Sequence, residues 1–408
     1  MHKLVSVAAA AAFAVCVAAP AIASAPPAPA STSVATTDLR SSLQSYLQTA
    51  KLSAADKATV QALIAKLPAG LRLTPKSSLT KAVSHEWTAA RNGAIDPSQY
   101  DCDPNTPVSR WLDSRLATVD MTNLRMLNNL GALDIPTYAN LIFGQQTKKA
   151  SFGVTGAHTN ELTRTMRDLQ GFWDIKSDDI ALIPMHGAAV FQDRKLVSQT
   201  MQLLYEVPAA TGDLYAEVFS MLLAADPALR GGDHPIFTFN AFAFSEEDEA
   251  PADRLGISDR IIMGDGVLEG MDAIGLGRTA PRSILAHEFG HHVQYEKGLF
   301  NSPLTGAEAT RRTELMADGF GAYFMTHKKG QALNKHLVLQ DAAAFYNVGD
   351  CAFDNDGHHG TPNQRLRAAQ WAGDLALASK PASSILPAMS FDALFEAKLP
   401  QLVAPDAK

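Results

Sequence analysis

The chain reads as α+β, mostly helical with a small β-sheet. Two observations predict this class. Most of the sequence beyond residue 38 carries apolar residues at three-four spacing, the period of a helix with one buried face. Strand-like runs are few and short; they cluster between residues 236 and 263, ahead of a strongly apolar helical stretch, with none of the strand-helix alternation that builds a parallel sheet. No internal repeat is detectable.

The elements follow in order. Residues 1–23 have a charged start at Lys3, an apolar run and the small residues Ala21-Ile22-Ala23, which predict a secretory signal peptide. Residues 24–37 are rich in Pro, Ala, Ser and Thr and predict a linker too poor in apolar side chains to fold. Two further regions are expected, an N-terminal helical region over 38–150 and a larger domain over 151–408. Ser53-Ala54-Ala55-Asp56 resembles a capping box opening a helix whose Val60, Leu63, Ile64 and Leu67 share a face. Helical spacing also marks 79–91, 108–116, 161–172, 196–206 and 214–225, the last apolar nearly all round. His158, His186 and His234 stand alone among Gly and Pro and read as satisfied structural histidines. Residues 236–244, rich in Phe, predict a strand, and 259–263 a second. The acids between them, Glu246 to Asp253, predict a solvated loop. Beyond the central helices, 331–345 and 362–377 are helical, the second opened by Pro362. Asp354-Asn355-Asp356-Gly357 lacks calcium-loop spacing and predicts a turn.

Composition narrows the function classes. The full chain has 408 residues and a net charge of −7, and loss of 1–23 would remove one lysine and no acid. That mild acidity favours solubility and gives no sign of nucleic-acid or anionic-membrane partners. No run after the leader is long and apolar enough for a membrane helix, so the mature chain is expected outside the cytoplasm, secreted or periplasmic. Two cysteines remain beyond the leader, Cys102 and Cys351. In an oxidising compartment they predict a disulfide tying the N-terminal region to the segment before His358. The alternative is a latency switch in which the Cys102 thiolate caps a metal; acidic neighbours, which would not lower the thiol's pKa, argue against it.

The chemistry concentrates in His287-Glu288-Phe289-Gly290-His291, within the apolar run 283–295. On a helix the two histidines lie about 40° apart around the axis and one turn apart along it, so both imidazoles leave one face and can grip one metal ion. Glu288, at the flank of that face, is placed to take a proton from water at the metal. A third ligand is needed. Gln294 and Lys297 stand where a metzincin has Gly and His, which closes that route. Glu314 and Asp318 then fall one turn apart on the next helical segment, giving a ligand (Glu314) and a carboxylate that can orient an imidazole (Asp318). The donor set fits one zinc ion.

With His292-Val293-Gln294 following the first motif and Glu314-Leu315-Met316-Ala317-Asp318 forming the second, the sequence resembles gluzincin-type zinc peptidases, and most closely the bacterial neutral zinc metallopeptidases. His359-Gly360-Thr361-Pro362-Asn363-Gln364-Arg365 is similar to a patch carried further on in that family, and Asn240-Ala241-Phe242-Ala243 to the strand ahead of the metal helix in related gluzincins. The resemblance covers roughly 236–373 and does not extend over 38–230. It implies a zincin-like arrangement of the active-site helices and a zinc-dependent peptidase acting on a polypeptide, with His359 or Tyr323 as candidates to stabilise the oxyanion. Two other readings stay open: a non-catalytic zinc-binding or interaction protein on a peptidase scaffold, and hydrolysis of another bond such as a cell-wall amide.

Overall fold

The computed structural model describes residues 39–50, 52–67, 95–246, 254–353 and 357–407. The expectations for 1–23, 24–37, the helix at 79–91, the acids from Glu247 to Asp253 and the turn at 354–356 lie outside those residues.

Three short strands form the sheet: β1 (Ala181–Met185), β2 (Ala241–Phe244) and β3 (Arg260–Gly264). β3 is central, parallel to β1 with Ile183 opposite Ile262, and antiparallel to β2 with Phe242 opposite Ile262. Every residue of β2 and β3 is buried, so both faces of the sheet are covered. The strand expected over 236–244 is shorter than its Phe content suggests. Pro235 opens a 3-10 turn over Pro235–Phe237, and the His234 Nδ1 accepts the Ile236 N–H at 3.2 Å, so the chain turns before it extends. β1 was not anticipated, because Pro184 lies inside it; as an edge strand it tolerates the missing N–H.

Helices surround the sheet. In the N-terminal region these are α1 (Leu39–Thr49), α2 (Ala54–Lys66), α3 (Pro107–Leu116), α4 (Met121–Asn129) and α5 (Ile135–Phe143). The Ser53 hydroxyl accepts the Asp56 N–H at 3.1 Å, capping α2 as its sequence predicts, and Val60, Ile64 and Leu67 are buried. Tyr46 on α1 donates to Asn123 Oδ1 on α4 at 2.9 Å, and Asn123 in turn donates to the Leu222 carbonyl at 2.8 Å. Next come α6 (Thr159–Gln170), α7 (Gly187–Gln192), α8 (Arg194–Tyr205), α9 (Ala209–Ala225) and α10 (Asp265–Ala273). His158 and His186 are satisfied as expected, on Asp272 at 2.9 Å and Asp265 at 2.7 Å. Glu246 departs from expectation. It is buried and accepts the N–H groups of Leu255 and Gly256, closing the base of its loop.

The C-terminal half holds α11 (Ala280–Lys297), α12 (Gly306–Thr326), α13 (Lys335–Asn347), α14 (Pro362–Ala378) and α15 (Ala388–Leu402). α11 lies against β2, β3 and α6, α12 packs along α11, and α14 packs along α12 and α13. A continuous cluster of buried apolar side chains runs from Leu43 on α1 to Leu402 on α15. The Cys102–Cys351 disulfide closes a separation of 249 residues, with Cα atoms 5.9 Å apart, so the Cys102 sulfur belongs to this bond and is no thiolate cap on a metal. Among the described residues no helix is long and apolar enough to cross a membrane.

Candidate metal centre

α11 begins with Pro281 in its first turn and ends at Gly298, whose left-handed φ of 63° lets the Leu299 N–H reach back to the Gln294 carbonyl at 2.8 Å. Ala280 to Tyr295 are buried apart from Arg282, as expected of a helix at the centre of a fold. Its close contact with α12 depends on two glycines. A Cβ on Gly290 would lie 3.1 Å from the Ala317 carbonyl oxygen, and one on Gly321 would lie 3.0 Å from the His287 nitrogen. Each helix therefore presents a bare backbone to the other, and their polar side chains converge at the crossing.

The five residues expected at the site meet there. His287 and His291 project one turn apart with ring centroids 4.7 Å apart, and their Nε2 atoms face each other at 3.0 Å. From α12, Glu314 places Oε2 3.4 Å from His287 Nε2 and Oε1 3.5 Å from His291 Nε2. His287 Nδ1 lies 2.8 Å from Asp318 Oδ1, the orienting contact expected of Asp318. Glu288 completes the group, with ligand atoms of His287, Glu288 and His291 all within 4.8 Å of one another. That buried His/Glu group can hold a metal ion. Glu314, within 3.5 Å of both imidazoles, borders this group from α12.

Hydrogen-bond direction shows how well the donors fit a cation. Gln294 Nε2 donates to the Thr313 carbonyl at 2.8 Å, which turns its Oε1 to His291 Nδ1 at 2.7 Å; that ring nitrogen must then carry the proton. His287 Nδ1 likewise faces a carboxylate, itself pinned by the Arg365 Nε and Nη2 donors at 2.8 and 2.6 Å. When neutral, both rings would therefore aim an Nε2 lone pair at the other. Two lone pairs 3.0 Å apart repel unless a cation, metal or proton, lies between them. The surrounding field favours positive charge. Burial opposes a charge on His287, but Asp318 and Glu314 outweigh it and hold the imidazole up at about 9. Burial likewise opposes the Glu314 charge, yet the surrounding histidines, His359 foremost, hold its carboxyl well below the usual range.

Glu288 behaves differently. Burial pushes its carboxyl well above the usual range, the Glu314 charge adds to this, and His287 and Arg365 offset it in part. Neither of its oxygens has a hydrogen-bond partner of good geometry, although the Ala243 N–H on β2 is near enough to favour the ionised form slightly. Glu314 Oε1 is also buried without a hydrogen-bond partner. Leaving such oxygens unmatched costs on the order of several kcal/mol, which a cation between the carboxylates and the rings would offset.

Three contributors were not assigned in the sequence reading: Gln294, Arg365 and Asp350. Arg365, on α14, is fully buried; it pairs with Asp318 and also approaches Glu314 at 3.8 Å. Asp350 accepts both the backbone N–H and the Nδ1 of His359, at 2.8 and 3.1 Å. The Glu314 charge is the leading influence raising His359 against burial, and His359 is the leading one lowering Glu314. Tyr323, the other oxyanion candidate, does not reach it. Its hydroxyl accepts the Leu386 N–H at 3.2 Å and its ring packs among Phe172, Trp173 and Phe391.

Fold and site together define a mostly helical α+β protein with a buried His/Glu group able to hold a metal ion. The chain matches no family model, no curated protein and no solved structure to which it was compared.

Proposed function

We propose that this chain is an exported zinc-dependent peptidase, and that His287, His291 and Glu314 hold the metal while Glu288 acts as general base. The observation that carries this reading is the pair of facing Nε2 atoms, 3.0 Å apart and bracketed by Glu314, with an unmatched buried carboxylate beside them. Two histidines and a glutamate form a common donor set for catalytic zinc. When bound, a divalent ion supplies the positive charge that acidifies water and polarises a carbonyl.

The residues supply the rest. Glu288, whose affinity for protons is raised by burial, takes a proton from water and passes it to the leaving amine. Asp318 and Gln294 fix the tautomers that turn both Nε2 lone pairs to the ion. His359 is the candidate donor to the oxyanion. β2 is an edge strand against α11, and the Ala243 N–H points toward Glu288, so an extended polypeptide can be received by backbone pairing. Export rests on the leader-like 1–23 and on the disulfide, which suits an oxidising compartment.

One observation favours a second reading. The donors are almost fully buried, with Glu314 1% exposed and His287, Glu288 and His291 0%. Structural zinc sites are closed in this way, whereas catalytic sites keep a position open. In a closed site Glu288 would be the fourth ligand. Glu288→Gln separates the two readings: for a peptidase, metal content stays at one zinc per chain while chelator-sensitive cleavage of casein or a quenched peptide library falls by roughly 100-fold or more. Loss of metal from that variant, or no cleavage by the zinc-loaded wild type, would establish the structural site instead.

A further inference from the structure

Asp350 lies on the loop between α13 and α14, one residue before Cys351. Its carboxylate is shared between adjacent histidines: Oδ1 accepts from His358 Nδ1 and the Ala352 N–H, and Oδ2 accepts from the backbone N–H and Nδ1 of His359. The loop is closed on itself by the Asp350 N–H to the Gly360 carbonyl at 3.0 Å. These ties are internal to the loop; its start is held from outside, by the Arg365 Nη1 donor on the Val348 carbonyl at 3.2 Å and the Thr106 hydroxyl on the Asn347 carbonyl at 3.0 Å.

The fixed frame comes from residues 99–102. The Asp406 carboxylate accepts the Asp101 N–H at 2.9 Å, the Tyr100 hydroxyl donates to the Val403 carbonyl at 3.1 Å, and Asn363 on α14 donates to the Asp101 carbonyl at 3.3 Å. The loop meets that frame at two points, the Cys102–Cys351 bond and the stacking of Phe353 on Tyr100, whose centroids lie 5.6 Å apart. The Cys102 sulfur is 3.4 Å from the Asp350 carbonyl oxygen, so the bond sets the position of that very residue. The metal donors do not depend on it. They stand on α11 and α12, held by the Gly290 and Gly321 contacts.

We propose that Asp350 is a positioning residue that fixes the orientation of His359, and that the Cys102–Cys351 bond keeps Asp350 in place, so that reduction unseats His359 while the metal stays bound. This rests on the metal-centre reading above. The redox step is thiol–disulfide exchange with a small dithiol: two electrons and two protons pass to the cysteines, the S–S bond breaks, two thiols form, and the reductant closes to its own cyclic disulfide. Both cysteines are half-buried, within reach of such a reagent.

The test uses the full chain, oxidised, reduced with dithiothreitol, and as Cys102→Ser/Cys351→Ser and Asp350→Ala. Metal content, far-UV circular dichroism, peptide hydrolysis and the ¹H–¹⁵N imidazole spectrum are measured on each. In the oxidised chain His359 should show a protected Nδ1–H signal, with or without zinc. Reduction and either variant should abolish that signal and lower kcat about 10–100-fold at unchanged metal content and helicity, as loss of an orienting partner does. Reduction should have no further effect on Asp350→Ala. A His359 signal and kcat unmoved by reduction, with zinc still bound, would overturn the proposal alone. Loss of the metal on reduction would overturn it in favour of a general stabilising role, and an oxidised wild type that binds no zinc would remove the metal reading together with it.

Discussion

His291 and Gln294 form a unit in which one side chain dictates the chemistry of the other. The Gln294 amide donates across the helix crossing to Thr313, and this leaves its oxygen to accept the His291 Nδ1 proton at 2.7 Å. Gln294 thus links the metal helix α11 to the carboxylate helix α12 and sets which ring nitrogen is free to bind. Gln294→Leu should keep the fold, because the side chain is of similar size, but lower zinc affinity about 10–100-fold by freeing the ring to turn and change tautomer. Competition with a fluorescent chelator measures this directly. An unchanged dissociation constant would mean that helix packing alone orients His291.

The local parts of the site were legible in the sequence and the long-range parts were not. His287 and His291, or Glu314 and Asp318, declare themselves because i,i+4 spacing puts both members on one helix face whatever the rest of the chain does. Arg365 carries no such sign: its partner Asp318 is 47 residues away, and a basic residue within a helical pattern reads equally well as solvated. Asp350 is hidden in the same way, since its role depends on a loop that folds back on itself. The convergence of α11 and α12 has one visible trace, Gly290 inside the metal motif; its counterpart Gly321 shows only in the packing. In the fold, helices with a strong apolar face were found within a few residues of their bounds. β1, interrupted by Pro184, and α15, with Pro400 inside it, contradict local propensity and are held by tertiary contacts.

Arg365 offers a sharper test of the buried charge network. It donates to both Asp318 oxygens, donates through Nη1 to the Val348 carbonyl at 3.2 Å, and is 0% exposed. Arg365→Leu leaves Asp318 and Glu314 buried with one cation fewer. Such a change should lower unfolding stability by about 3–5 kcal/mol. The loss should be larger in chelator than with zinc, because the metal would then be the remaining counter-charge for Glu314. Urea denaturation with and without zinc gives both values. The combined Arg365→Leu/Asp318→Leu variant should be less destabilised than Arg365→Leu alone when metal is absent, since it removes the stranded Asp318 charge. Equal losses in all four measurements would show that the pair is not coupled to the metal centre.

Away from the centre, two histidines predict how stability depends on pH. His186 sits on Asp265, whose hydrogen bond raises its pKa above the usual value against the opposing effect of burial, with Asp233 adding to the rise. His158 is raised by Glu161, against burial, and further by Asp272. A raised folded-state pKa means that the folded chain binds the proton more tightly than the unfolded one. The stabilisation from each pair is therefore complete below the unfolded value of about 6.5 and is lost as pH rises through the folded value. Asp265 is largely shielded while Asp272 is nearly half exposed, so solvent screening makes the His186 pair the stronger of the two. His186→Asn should accordingly reduce the urea midpoint more at about pH 6 than at about pH 9, and His158→Asn should do the same to a smaller degree. Taking differences from wild type at each pH cancels the metal-centre groups common to both proteins. A deficit that stays constant with pH, or grows toward alkaline pH, would show that these histidines act as neutral hydrogen-bonding groups and not as ion-pair partners.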